Sequence, residues 1–103
     1  GIGKLRAKSE LLTGYLERLI RERLADTLHI VTPAKPERRG CQLSLRVIAG
    51  RERGRALFEH LGERGIIGDW REPDVIRISP TPMYNRFTDV LHFVHAVEAW
   101  RQA

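Results

Sequence analysis

A chain of 103 residues with 18 basic and 13 acidic side chains, 42% apolar residues and a formal charge of +5 has room for one modest core, and not for a complete enzyme with a separate cofactor lobe. No apolar run approaches the ~20 residues of a membrane-crossing helix. The single cysteine, Cys41, excludes an internal disulfide and fits a reducing compartment, with the cytoplasm as the default.

The opening Gly1-Ile2-Gly3-Lys4 has neither an initiator methionine nor the apolar core of a signal peptide, so the chain reads as a piece of something longer. The positive excess lies almost wholly in residues 1–40, with nine basic against five acidic groups; residues 41–103 carry nine and eight. Only Lys35, Arg38 and Arg39 cluster, without an aromatic neighbour to stack on a base, which is a weak nucleic-acid footprint. A free-standing basic module that binds an anionic partner through these three residues is the alternative reading.

In chain order, residues 4–28 predict a long amphipathic helix. Leu5, Leu12, Leu16, Leu19, Ile20, Leu24 and Leu28 fall near helical spacing, and Arg18, Arg21, Glu22 and Arg23 occupy other faces. A short extended piece, His29 to Thr32, ends at Pro33, and a loop with a second proline, Pro36, runs to Gly40. Residues 41–48 give the clearest strand, with Cys41, Leu43, Leu45 and Val47 alternating against Gln42, Ser44 and Arg46. A charged glycine-containing turn, 49–54, leads into a helix from about Arg55 to Arg64, with Leu57, Phe58 and Leu61 inward and Gly65 as its C-terminal cap.

Ile66 and Ile67 are expected to begin a further strand, and Val75 to Ile78 to return beside it as a hairpin around the turn 71–74. Asn85 or Thr88 caps the last helix, Asp89 suits its first turn, and Val90, Val94, Val97 and Trp100 form its inward stripe. The order helix, strand, strand, helix, strand, strand, helix is an α+β pattern. Its simplest packing is a small, mostly antiparallel sheet of three or four strands with helices on one face, leaving the other face or an edge for a partner.

One residue stands apart. Arg77 interrupts an apolar strand that ends in the proline-stiffened stretch Ser79-Pro80-Thr81-Pro82, so it either faces solvent as an ordinary strand arginine or reaches an anion at the strand end.

Four segments in this order resemble the C-terminal part of the kynureninases: residues 5–10 with 12–17 (Leu-Arg-Ala-Lys-Ser-Glu, Leu-Thr-Gly-Tyr-Leu-Glu), 37–44 (Glu-Arg-Arg-Gly-Cys-Gln-Leu-Ser), 69–73 (Asp-Trp-Arg-Glu-Pro) and 76–85 (Ile-Arg-Ile-Ser-Pro-Thr-Pro-Met-Tyr-Asn). An arginine, serine and Tyr-Asn pair occurs widely among class V aminotransferase-like enzymes; the Pro80-Thr81-Pro82 spacing and the Arg-Gly-Cys-Gln run narrow the resemblance. It implies a pyridoxal-phosphate enzyme of fold type I, a homodimer that hydrolyses L-kynurenine, or its 3-hydroxy form, to an anthranilate and L-alanine. This chain would be the small C-terminal domain, inactive alone, with the large cofactor-binding domain and the second subunit as its partners, and with neither nucleic acid nor membrane among them.

By the same resemblance Arg77 binds the substrate α-carboxylate, and Ser79, Tyr84 and Asn85 support it. A guanidinium is well suited to this role, since it offers parallel donors to a planar carboxylate and keeps its charge. The cofactor itself would be held elsewhere. A lysine that carries pyridoxal phosphate needs a packed site and a lowered pKa, whereas Lys4 and Lys8 read as surface residues of the first helix and Lys35 lies between two prolines. His92 and His95 read as helix-surface residues without further metal ligands, and Cys41 as a buried strand residue. The sequence does not decide whether Trp70 and Trp100 are core or interface.

Overall fold

The computed structural model describes residues 2–31, 43–66, 68–78 and 86–102, with side chains from Glu10 onward. Among these residues three helices and a four-stranded antiparallel sheet follow in the expected order: α1 (Ile2–Arg23), β1 (Leu28–Ile30), β2 (Leu43–Val47), α2 (Arg51–Glu63), β3 (Asp69–Arg71), β4 (Val75–Ile78) and α3 (Phe87–Gln102). The spatial strand order is β1-β2-β4-β3, so the β3–β4 hairpin joins the sheet through β4.

Register explains the core. Leu28 opposes Val47, Ile30 opposes Leu45, Leu43 opposes Ile78, Leu45 opposes Ile76, and Trp70 opposes Ile76. Directly opposed residues share a face, so one face collects all of these side chains. Leu43, Leu45 and Val47 are fully buried there, under helices that bring Leu12, Leu16, Leu57, Val90, Phe93 and Val97 to the same cluster. Alternation sends His29, Ser44, Arg46, Asp69, Arg71, Val75 and Arg77 to the opposite face.

The first helix ends five residues before its expected limit. Leu24 and Leu28 keep helical spacing because both are buried, but after a last turn, in which the Leu28 N–H donates to the Leu24 carbonyl at 2.9 Å, Leu28 enters the sheet. The second helix starts four residues earlier than expected. Gly50, at φ 102°, makes the entry turn, and Gly54 lies inside the helix because a Cβ there would stand 2.9 Å from the Trp70 ring.

Gly65, at φ 77°, fills its expected place at the end of α2, where left-handed backbone favours glycine. The neighbouring Ile66 N–H donates to the Leu61 carbonyl at 3.0 Å. Ile66 is therefore buried as part of this helix end and not as a strand residue, and β3 begins only at Asp69. Before α3, the Arg86 N–H donates to the Asp89 carboxylate at 3.1 Å, the reaching-back half of a capping box. Thr88 lies inside the helix, and Asn85 is outside the described residues.

The helices are tied to one another by polar contacts at their ends. Arg23 grips Glu98 through two hydrogen bonds of 3.1 and 2.6 Å, and Arg101 reaches Asp26 at 2.7 Å and the Arg23 carbonyl at 3.1 Å. The Asp26 carboxyl is held below its ordinary value by the Thr27 hydroxyl first, and by Arg101 as well. Between α2 and α3, His60 Nε2 donates to the Ala96 carbonyl at 2.9 Å.

Candidate functional site

β4 presents Arg77 by simple alternation. Ile76 and Ile78 are buried to 2% exposure and anchor the strand on the core face, so the residue between them must stand on the other face. Its side chain is 29% exposed, a half-buried arginine rather than a solvated one. Ser44 is its opposed residue on β2 and Asp69 on β3, so the guanidinium rises from the middle of the row Ser44-Arg77-Asp69.

The surroundings hold this cation loosely. Nη2 of Arg77 donates to Oδ2 of Asp69 at 3.4 Å, a long contact to a carboxylate whose side chain is 64% exposed, and Nε is buried without a hydrogen-bond partner among the described residues. A buried donor left unmade costs free energy, so a planar anion that reached this guanidinium would satisfy it. In the next row, Arg46 and Arg71 flank Val75 on the same face. Neither makes an ion pair among the described residues, so the face is net basic.

Glycine fixes the spacing here. A Cβ on Gly68 would lie 2.7 Å from the Arg77 carbonyl oxygen and 3.2 Å from Cγ2 of Ile78, so only glycine lets β3 start this close to β4. On the core side of β3, Trp70 packs at 6.0 Å from the Phe58 ring, with the Arg55 guanidinium 5.5 Å from the Trp70 ring centroid. In the hairpin turn, Glu72 accepts two bonds of 2.8 Å from Arg51 at the start of α2. That pairing lowers its carboxyl to a pKa of about 2 and braces the hairpin against the helix.

Of the residues singled out from sequence, Arg77 is described, and Ser79, Tyr84 and Asn85 lie outside the described residues, as do Cys41, Lys35, Arg38 and Arg39. His92 donates from Nε2 to the Arg64 carbonyl at 3.2 Å, which accounts for it structurally; among the described residues no three His, Cys, Asp or Glu side chains gather as a metal site. Trp100 belongs to the core at 9% exposure, with the Arg53 guanidinium 4.3 Å from its ring centroid. Trp70 is partly buried against that core.

Asp69 was not foreseen. Centring the expected turn on Pro73 pairs residue 69 with residue 77, so the hairpin arithmetic held the signal.

A family model described as the kynureninase C-terminal domain matches residues 5–97. The chain belongs to this family. It is 71% identical to a kynureninase of Stenotrophomonas maltophilia over 97% of its own length, and 67% identical to one of Xanthomonas euvesicatoria over all of it. It spans 24% of the length of each of these relatives. Arg77 lies within the span that the family model matches. Among the described residues no helix is long and apolar enough to cross a membrane.

Proposed function

We propose that this chain is the small C-terminal domain of an enzyme that hydrolyses L-kynurenine, or its 3-hydroxy form, to an anthranilate and L-alanine, and that Arg77 binds the substrate α-carboxylate. The observation that supports the role most directly is the half-buried guanidinium, with its Nε unpartnered among the described residues and only one long ion pair to Asp69. Binding an amino-acid carboxylate there would complete the arginine's hydrogen bonding and fix the substrate's orientation.

Pyridoxal phosphate, when bound, supplies the electron sink for such chemistry. We assign the cofactor to the large domain, since Lys4 and Lys8 read from sequence as surface residues of the first helix and Lys35 lies between two prolines. What this chain's own residues do is bind and orient. Arg77 takes the carboxylate, the anchored strand β4 prevents it from following the substrate, and Ser79, Tyr84 and Asn85 support it. The homodimer and the cytoplasmic setting belong to the same reading, which rests for them on the family alone.

The test uses the complete enzyme. Arg77→Ala should lower kcat/KM by about one to two orders of magnitude, the equivalent of losing a charged hydrogen-bonded contact of roughly 1.5–3 kcal/mol, and Arg77→Lys should recover only part of it. Unchanged KM and turnover in Arg77→Ala would sink the assignment.

A further inference from the structure

We propose that Asp69 is a positioning residue for substrate binding that acts through Arg77; this rests on the reading of Arg77 as the carboxylate anchor. The geometry carries the step from one residue to the other. Asp69 is the β3 residue directly opposite Arg77, and its Oδ2 accepts from Nη2 of the guanidinium at 3.4 Å. Gly68, which a Cβ would drive into the Arg77 carbonyl, brings Asp69 into that place. One donor of the guanidinium is thereby tethered on the β3 side, and Nε has no partner among the described residues.

The tether has the right strength for such a role. A long arginine side chain loses much rotamer freedom when it is fixed, and a partner that fixes it beforehand removes part of that loss from the binding step. A short, buried, bidentate partner would instead occupy the guanidinium against the substrate. Asp69 does neither extreme: its side chain is 64% exposed and 3.4 Å away, so solvent screens its repulsion of an incoming carboxylate while its contact still orients Arg77.

The experiment compares L-kynurenine with its α-carboxamide in the complete enzyme, using Asp69→Asn, Asp69→Glu, Arg77→Ala and the double variant Asp69→Asn/Arg77→Ala. Asp69→Asn should raise KM for the acid about fivefold, the upper range for an exposed pair, and leave the carboxamide unaffected, so that the acid-to-amide ratio of kcat/KM falls. Asp69→Glu should restore part of the ratio, and in the Arg77→Ala background Asp69→Asn should change it no further.

Equal losses for acid and amide, or an equal loss with and without Arg77, would mean that Asp69 serves the fold and would overturn the proposal. A lower KM in Asp69→Asn would also overturn it, by showing that Asp69 competes with the substrate. If Arg77→Ala itself leaves the ratio intact, the carboxylate assignment falls first; if Arg77→Ala lowers it and Asp69→Asn does not, only the role of Asp69 falls.

Discussion

The two faces of one small sheet are built on opposite terms. On the helix side Leu43, Leu45, Val47, Ile76 and Ile78 are all apolar and sealed to 2% exposure or less. On the other side Arg46, Arg71 and Arg77 stand with one long ion pair among the described residues. A strand shared by both faces lets the first make the second rigid: Ile76 and Ile78 fix the backbone from which Arg77 rises, and the long bond to Asp69 tethers its tip. The expected separation is that mutations on one face cost stability and mutations on the other cost binding.

The largest effect on stability should come from Leu45→Ala. It removes a fully buried side chain opposed by both Ile30 and Ile76, and should cost about 2–5 kcal/mol in denaturant unfolding. Arg77→Ala should change the unfolding free energy by little, about 0.5 kcal/mol or less, since its ion pair is to an exposed carboxylate, while it lowers kcat/KM far more. A variant at Arg77 that unfolds as readily as one at Leu45 would erase the distinction between the faces.

Gly68→Ala tests the seam between them. The added methyl meets backbone at 2.7 Å and cannot be accommodated by a side-chain rotation, so about 1–3 kcal/mol of stability should be lost, together with a rise in KM as β3 moves off β4. The smallest effect concerns the hairpin brace. Glu72 titrates at about 2 when folded, below its ordinary 4.5, because Arg51 stabilises its charged form. A lowered folded value means that the brace contributes above about pH 4.5 and is lost as pH falls through 2. Melting temperatures of the native chain and of Glu72→Gln should accordingly converge across that window.

Much of this was legible in the sequence, for reasons that differ by element. The strand 43–47 and the stripe of Val90, Val94, Val97 and Trp100 followed from periodicity, since burial of a regular element repeats with its geometry. Gly54 misled because a glycine in a charged stretch reads as a turn, while its reason for being there, the Trp70 ring, comes from 16 residues further on. Ile66 misled because apolar character alone does not separate a strand from the tail of a helix cap. Arg77 was visible as a misplaced charge; Asp69 showed only through the register of the β3–β4 hairpin and not through its own residue type.

Trp70 follows Asp69 directly in β3 and faces the core, where it rests on Gly54 and Phe58. Any rearrangement of the Asp69–Arg77 pair that tilts this short strand must therefore be felt by an indole wedged against a helix. With only two tryptophans in the chain, and the other, Trp100, in α3, the molecule carries its own optical gauge: fluorescence of a variant retaining Trp70 alone would register the binding of an anion at Arg77 from the opposite side of the sheet.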